Sequence, residues 1–187
     1  AGKISKIEHS GLKQTDKRIV ECRLGNKEGC EYSEELWEEE RDSLMDLDIF
    51  ADVQVRKEVT GDGTVLTYSY KELPPFIIFP AMKRTDQDGL LIGPGVTFMN
   101  LGGFGIHQEI MSRYTVAPDP MRAKEVLTYT RIPRILDIPF STEITLSYFE
   151  SYNSLNLYKE DSFYGQADLI YRFTKIFSIK ALASSFN

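Results

Sequence analysis

The sequence predicts an α+β domain over residues 1–75, in the order strand-helix-helix-strand-strand, followed by an all-β antiparallel segment over residues 76–187. Charge and aromatic content both divide the chain at this point. Residues 1–75 hold 11 basic and 17 acidic side chains, which accounts for the whole formal charge of −6, whereas residues 76–187 hold 11 of each. Of the 22 aromatic residues, 5 lie in the first segment and 17 in the second. The two segments are therefore expected to meet different solvents.

The first segment begins with a strand and a short helix. Lys3–His9 alternates between apolar and polar residues and is closed by Ser10-Gly11, which is typical of a strand. Thr15 is placed to cap a helix, with Asp16 in the first turn, where a negative charge is favourable. Gly25 provides the stop signal for this helix.

A second helix follows a polar loop. Ser33 is its predicted cap, and Glu34 and Glu35 occupy its first turn. Between Glu31 and Asp48 the chain holds nine acidic residues and a single base, Arg41. A solvated helix face explains this run better than an acidic docking site does.

A β-hairpin completes the first domain. Phe50–Glu58 and Thr64–Glu72 alternate with period two on either side of Thr60-Gly61-Asp62-Gly63, a strong hairpin signal. Two helices covering a three-stranded sheet would give one small core. Its predicted members are Ile7, Ile19, Leu36, Leu44, Phe50 and Tyr68.

Leu73-Pro74-Pro75 separates the two segments, because neither proline can donate a hydrogen bond to a sheet. Seven strands are predicted after it, namely Phe76–Met82, Leu90–Phe98, Ile106–Val116, Ala123–Arg131, Thr142–Tyr152, Tyr164–Thr174 and Phe177–Ser185. The uncharged stretch Leu90–Gln108 is not a membrane-spanning helix, because it contains six glycine and proline residues.

The alternation in these strands is typical of an outer-membrane barrel, although a soluble β-sandwich gives a similar pattern. In the barrel interpretation, one set of side chains faces lipid and the other faces a polar interior. The predicted lipid-facing residues are Ile144, Leu146, Tyr148, Leu169, Tyr171 and Phe173. The predicted interior residues are Glu143, Asp168 and Arg172.

The sequence offers little basis for catalysis. It contains no nucleophile elbow, no phosphate-binding loop and no metal-ligand spacing, so we expect no enzyme activity, no catalytic residue, no metal and no cofactor. His107 and Glu109 are better explained as polar interior residues than as a catalytic pair. The charge of −6 also disfavours nucleic acid as a partner.

The first 75 residues resemble a polypeptide-transport-associated (POTRA) domain. The resemblance is carried by Ile7 with Gly11, Gly29 through Tyr32, Leu44 and Leu47 leading to Phe50, and the hairpin ending Tyr70-Lys71-Glu72. The segment after Pro75 resembles the start of a bacterial surface-antigen barrel of the BamA type. The residues that carry this second resemblance are Gly93-Pro94-Gly95 and the strand-and-turn motif at Asn100, Leu101, Gly102, Gly103, Phe104 and Gly105.

The chain departs from this barrel family in two respects. The family barrel is expected to have sixteen strands, whereas the residues after Pro75 suffice for about six or seven spanning strands. The Val-Arg-Gly-aromatic motif of the family is also missing, since Thr130-Arg131-Ile132 does not match it. The chain is therefore expected to be a fragment that forms an incomplete barrel.

The resemblance implies an assembly or translocation component of the bacterial outer membrane, with residues 1–75 in the periplasm. Its partners would be unfolded outer-membrane or secreted polypeptides, the lipid bilayer and periplasmic accessory proteins. Such a domain captures a client as an added strand on a sheet edge. The edge maps to Phe50–Glu58, with Asp52, Gln54 and Arg56 as the residues that meet the client.

Two alternatives remain open at the level of sequence. One is a secretion pore, or a barrel that anchors an enzyme domain lying upstream. The other is a soluble β-rich binding protein. The periplasmic location that the resemblance implies also predicts a Cys22–Cys30 disulfide, because that compartment is oxidising. Two unrelated free thiols are the competing interpretation of this cysteine pair.

Overall fold

The structure, a computed structural model, describes residues 3–86, 88–116, 121–133, 140–153, 157–172 and 178–186. It divides into two compact units. The first contains the described residues up to Pro75 together with Met99–Gly105. The second contains Phe76–Phe98 and the described residues from Ile106 onward.

The first unit has the predicted element order. Its elements are β1 (Ile4–Ser10), α1 (Lys17–Glu21), α2 (Glu34–Met45), β2 (Phe50–Thr60) and β3 (Gly63–Glu72). The sheet order is β1-β3-β2, with β1 parallel and β2 antiparallel to the central strand β3. In the described part of the chain, no helix is both long enough and apolar enough to cross a bilayer.

The helices and one face of this sheet enclose the core of the first unit. Ile19, Leu44, Phe50 and Tyr68 are buried there as predicted, and Ile7 packs against them while partly exposed. The prediction for Leu36 is wrong, because its side chain is 38% exposed. Leu36 lies in the first turn of α2, beside Gly25 at the edge of the core, so only part of its side chain is covered.

The second helix begins as predicted, but the first does not. The Ser33 hydroxyl oxygen accepts a hydrogen bond from the Leu36 amide at 3.3 Å. The cap of α1 is Asp16 and not Thr15, because the Asp16 carboxylate accepts from the Arg18 amide at 2.9 Å. The Thr15 hydroxyl instead donates to Glu72 on β3 at 2.6 Å. The Thr15 hydroxyl therefore binds a residue distant in the sequence and does not cap the helix.

The second unit is a seven-stranded sheet in which each strand neighbours the next along the chain. The seven predicted strands are thus confirmed, and neighbouring strands run antiparallel. Their bounds are β4 (Phe76–Thr85), β5 (Gly89–Leu101), β6 (Ile106–Thr115), β7 (Met121–Ile132), β8 (Phe140–Asn153), β9 (Tyr158–Arg172) and β10 (Ser178–Phe186).

Strands β8 and β9 are longer than their apolar patterns predict, at 14 and 15 residues. Most of the extra length of β9 is polar, since it contains Lys159, Glu160, Asp161 and Ser162. Glu150 on β8 forms ion pairs with Lys124 on β7 at 2.5 Å and with Lys159 on β9 at 3.9 Å. Cross-strand charge pairs of this kind can extend a sheet beyond the part that hydropathy marks.

Candidate functional site

Strand β2 forms an outer edge of the first unit's sheet, and no strand among the described residues of that unit pairs with its far side. The hairpin turn consists of Gly61 and Asp62, between the paired residues Thr60 and Gly63. Because hydrogen-bonded and non-hydrogen-bonded pairs alternate from such a turn, the backbone groups of Val55 and Lys57 are directed to the free side. The edge therefore presents donors and acceptors on which a further strand can form.

The opposite edge of the same sheet is partly covered. The Ile4 amide donates to the Cys30 carbonyl at 2.8 Å, and the Gly29 amide donates to the Ile4 carbonyl at 2.8 Å. Lys3 also forms a bridge with Glu31. Of the two edges, β2 is thus the one more open to strand addition.

The predicted client-binding residues Asp52, Gln54 and Arg56 alternate along β2 with Val53, which is buried in the core. The Gln54 amide donates to the Asp52 carboxylate at 2.7 Å, and Arg56 pairs with Glu58 at 3.2 Å. Exposed pairs of this kind contribute only about 0–1 kcal/mol. An arriving strand can therefore rearrange these side chains with little loss of free energy.

A buried carboxylate connects helix α2 to the loop before it and to the central strand. Glu40, only 2% exposed, accepts hydrogen bonds from the Gly25 amide at 2.7 Å, the Asn26 amide, and the Tyr68 hydroxyl at 2.8 Å. Burial and the neighbouring Glu40 raise the pKa of Tyr68, so its hydroxyl remains a donor. The sequence predicted that the acidic run on α2 forms a solvated face. This prediction is wrong for Glu40, whose buried carboxylate joins α2 to the preceding loop and to β3.

The motif at Asn100, Gly102, Gly103 and Gly105 belongs to the first unit. The Asn100 side chain accepts from the Gly105 amide at 2.7 Å and donates to the Thr15 hydroxyl at 2.9 Å. Since Thr15 in turn donates to Glu72, one hydrogen-bond chain links the turn, the start of α1 and strand β3.

Gly103 allows this turn to approach the segment before α1. Its carbonyl accepts from the Asp16 amide at 3.0 Å, and its φ of +81° lies in the left-handed region. A Cβ atom at this position would lie 2.5 Å from the Gln14 carbonyl oxygen. Only glycine combines this backbone conformation with so close an approach.

The Glu72 carboxylate gives the first unit a pH dependence. Burial acts to raise the pKa of Glu72, but hydrogen bonds from Thr15 and from the Lys13 and Gln14 amides outweigh it, so the pKa lies below its usual value. A depressed folded-state pKa stabilises the fold above the unfolded-state value of about 4.3, and that contribution is lost as the pH falls through the folded-state pKa.

We therefore expect the first unit to lose stability on acidification below about pH 4.3, and Glu72→Gln to weaken this dependence. The emission of Trp37, the one tryptophan of the chain, can follow urea unfolding at several pH values, because its ring contacts Tyr68 in the core. An unchanged pH dependence in the variant would contradict this role for Glu72.

The sheet of the second unit has one apolar and one polar face. The apolar face contains the predicted lipid-facing residues Ile144, Leu146, Tyr148, Leu169 and Tyr171, which share one side of paired strands. It extends to the other strands, and many of its members are exposed, among them Ile78 at 72% and Phe163 at 52%. The predicted lipid-facing Phe173 lies outside the described residues.

The polar face contains charged groups that are buried. Asp168 is 4% exposed, and its carboxylate accepts a hydrogen bond from the side-chain amide of Gln166 at 2.8 Å. Glu125 is 6% exposed. Glu143 pairs directly with Asp168, so the two predicted acidic interior residues lie on this face. The third, Arg172, has a side chain outside the described set.

Contacts across the polar face show that the sheet is strongly curled. Lys83 on β4 forms an ion pair with Glu125 on β7 at 3.0 Å, and its ammonium lies 5.8 Å from the centre of the Phe149 ring on β8. In a flat sheet, strands β4 and β7 would be about 14 Å apart at a spacing of ~4.8 Å. Asp88, before β5, likewise reaches the Ser151 hydroxyl on β8 at 3.1 Å. The polar face is thus the inside of the curve.

This arrangement reverses that of a soluble domain, because the apolar side chains are exposed and several charged ones are buried. A soluble β-sandwich would cover its apolar face with a second sheet, and none is present among the described residues of this unit. An apolar outer surface around a polar interior is the pattern of a transmembrane barrel.

The structure also places the two cysteines and the side chains that could ligate a metal. Cys22 and Cys30 are both exposed free thiols, so the structure does not contain the predicted disulfide. Cys22 directs its thiol to the Ile19 carbonyl at 3.3 Å. Among the described residues, no group of three or more histidine, cysteine, aspartate or glutamate side chains is arranged to hold a metal ion.

Part of the chain is similar in sequence to a known protein, although the similarity does not extend to a family model. No family model matches the chain. The chain is 31% identical over 90 residues to the outer membrane protein assembly factor BamA of Nitratidesulfovibrio vulgaris, an alignment that covers 47% of this chain and 11% of that protein. The chain thus spans about a ninth of the length of this relative.

Solved structures show the same architecture. CdiB from Acinetobacter baumannii aligns with 100% of this chain and 39% of its own, with a TM-score of 0.63 and 12% identity. CdiB from Escherichia coli aligns with 99% of this chain and 38% of its own, with a TM-score of 0.61 and 10% identity. The chain therefore shares the fold of part of these proteins, and its second unit resembles an unclosed part of their barrel.

Proposed function

We propose that this chain is part of an outer-membrane protein that assembles or translocates polypeptides without enzymatic chemistry. In this proposal the first unit is a POTRA domain in the periplasm, and the second unit is part of a barrel in the outer membrane. The observation that carries the proposal is the curled sheet with an exposed apolar face and buried charges such as Asp168. The 31% identity to the assembly factor supports the same role.

Client capture would take place at the free edge of β2. An unfolded β-rich client adds to this edge as a fourth strand through backbone hydrogen bonds, which makes recognition tolerant of client sequence. Asp52, Gln54 and Arg56 would contact the client side chains on the face of the sheet away from the core. The captured client then passes to the barrel, with periplasmic accessory proteins as further partners.

Site-specific photo-crosslinking tests this mode of capture. A photoreactive amino acid at Gln54 should crosslink to an unfolded peptide from an outer-membrane β-barrel strand, because the client would lie about 5 Å from β2. The matched control is Glu8, which is also exposed but lies on β1 at the other side of the sheet. Equal crosslinking at both positions would contradict capture on the β2 edge.

A backbone variant separates strand addition from side-chain attraction. Lys57→Pro removes an amide that faces the free edge, and proline is tolerated at such edge positions. We expect it to reduce peptide crosslinking at Gln54, whereas Lys57→Ala should not. Equal crosslinking in the two variants would contradict backbone-mediated capture.

A further inference from the structure

The free edge of β2 is complementary to a second copy of itself. Counting from the hairpin turn, the backbone groups directed to the free side belong to Val53, Val55, Lys57 and Val59. A two-fold axis through this edge makes the two copies of β2 antiparallel, and the position of the axis then determines every cross-strand pair. Hydrogen bonds form only where residues directed to the free side are paired with one another. This condition leaves few registers.

One of these registers places opposite charges next to each other. With the axis at Lys57, Arg56 of each copy lies opposite Glu58 of the other, and the Cβ atoms of such non-hydrogen-bonded pairs are about 4.5–5.5 Å apart. Within one chain Arg56 already pairs with Glu58 at 3.2 Å. That contact can remain, because the four side chains of the two copies then form a ring of alternating charges.

The same register covers an exposed apolar side chain. Among the described residues of the first unit, Val59 is the most exposed large hydrophobic residue, at 76%. Val55 lies two pairs away on the same face of β2 and packs partly against the core. With the axis at Lys57, Val59 of each copy lies opposite Val55 of the other, which removes apolar surface from water.

The neighbouring registers are less favourable. Moving the axis by one residue in either direction places Arg56 opposite itself or Glu58 opposite itself. An axis at Val55 places Asp52 opposite Glu58. An axis at Gln54 would pair Asp52 with Arg56, but it requires the start of β2, where the register with β3 is irregular.

Two features keep this self-pairing weak. The axis pairs Lys57 with itself, although each ammonium lies 4.7 Å from the centre of the Tyr32 ring of its own chain. Both copies of the first unit are also acidic, and one pair of strands buries less than the about 1,200 Å² of stable complexes. We therefore expect a dimer that dissociates readily.

We propose that β2 pairs with β2 of a second copy in the register centred on Lys57, which joins two first units into one six-stranded sheet and excludes a client strand. Both occupants need the same backbone donors and acceptors, so self-pairing covers the edge until a client displaces it. The exclusion of the client rests on the proposed function, whereas the self-pairing rests only on the edge.

Cysteine crosslinking in the full chain tests the register. On a background of Cys22→Ser and Cys30→Ser, Lys57→Cys would face its own copy with Cα atoms about 5.5 Å apart, a distance that a disulfide spans. The matched control is Gln54→Cys, which is also exposed but would lie about 20 Å from its copy along the strand. Mild oxidation should give at least tenfold more disulfide dimer at position 57 than at position 54. Equal yields would overturn the register.

Charge variants test the pairing of Arg56 with Glu58. Added to Lys57→Cys, either Arg56→Glu or Glu58→Arg should reduce the disulfide dimer at least tenfold, because like charges then face each other. An equimolar mixture of the two variants should restore a mixed dimer, because each altered charge then faces an opposite one. Urea unfolding followed by Trp37 emission establishes that each variant is folded. Failure of the mixture to restore the dimer would overturn the pairing.

The disulfide-linked dimer tests the exclusion of the client. With the photoreactive amino acid at Gln54, the oxidised Lys57→Cys chain should crosslink at least tenfold less outer-membrane strand peptide than the same chain after reduction and dilution. Equal crosslinking in the two states would overturn the exclusion. If the reduced chain captures no peptide while the disulfide dimer forms as expected, the proposed function fails and the self-pairing stands.

Discussion

Gly93→Ala is expected to prevent folding of the second unit. A Cβ atom on Gly93 would lie 1.8 Å from the Ser112 carbonyl oxygen and 3.0 Å from the Arg113 Cα atom. Both obstructing atoms belong to the backbone of β6, so no side-chain rotation can relieve the clash. Overpacking typically costs about 1–3 kcal/mol and occasionally more, and a clash with backbone atoms at this distance would force β6 away from β5. Heat-modifiable migration in detergent should show the loss of the folded species.

Gly165→Ala is the matched control for this prediction. A Cβ atom at Gly165, on β9 of the same sheet, would lie 3.5 Å from a Leu146 methyl group, which is an ordinary contact. Because alanine restricts the unfolded chain more than glycine does, the change should be neutral or stabilise by up to about 1 kcal/mol. Normal folding of Gly93→Ala would show that β5 and β6 do not approach each other as described.

Glu40→Ala is expected to destabilise the first unit by about 3–5 kcal/mol. The substitution leaves the Gly25 and Asn26 amides and the Tyr68 hydroxyl without their acceptor in a buried site. Each unsatisfied buried donor costs about 1–3 kcal/mol, and a small domain is stable by only about 5–15 kcal/mol. Urea unfolding followed by Trp37 emission reports on this unit within the full chain.

Two further variants test whether the loss of stability in Glu40→Ala comes from the missing buried acceptor. Glu39→Ala removes the neighbouring exposed carboxylate and should change stability by less than about 0.5 kcal/mol. Glu40→Gln keeps one acceptor oxygen and should fall between Glu40→Ala and the unchanged chain. Equal stability of Glu39→Ala and Glu40→Ala would contradict the anchoring role of Glu40.

Local sequence signals were sufficient for much of the fold. Ser33 capped the second helix as predicted, because its cap depends only on the Leu36 amide three residues away. The two-residue turn at Gly61 and Asp62 fixed the hairpin, and strict alternation placed Leu146 and Asp168 on opposite faces. These features depend on neighbours a few residues away.

Features that depend on distant partners were not predictable. Thr15 does not cap α1, because its hydroxyl donates to Glu72, which is 57 residues away. Glu40 looked like one more solvated acid, and its burial follows from how α2 packs on Tyr68. Alternation also indicates which face of a strand is polar, but not how far the sheet curls. The contact between Lys83 and Glu125 supplies that information.

The glycine motifs illustrate both cases. Gly93-Pro94-Gly95 was recognisable only through a family resemblance, and the structure supplies a physical reason for Gly93 in the close approach of β6. The turn at Asn100 was expected to be part of the barrel segment. Its hydrogen bond to Thr15 instead makes it part of the first unit.

Nitroxide accessibility along β9 tests most directly whether the apolar face contacts lipid. Single cysteine labels are placed at successive positions from Ser162 to Leu169, in the full chain carrying Cys22→Ser and Cys30→Ser, and the protein is inserted into lipid vesicles. Labels at Phe163, Gly165, Ala167 and Leu169 should collide with oxygen, which concentrates in hydrocarbon. Labels at Ser162, Tyr164, Gln166 and Asp168 should instead favour a water-soluble nickel chelate. A ratio of oxygen to nickel accessibility that alternates with period two is the predicted result, and equal ratios on both faces would contradict the membrane assignment.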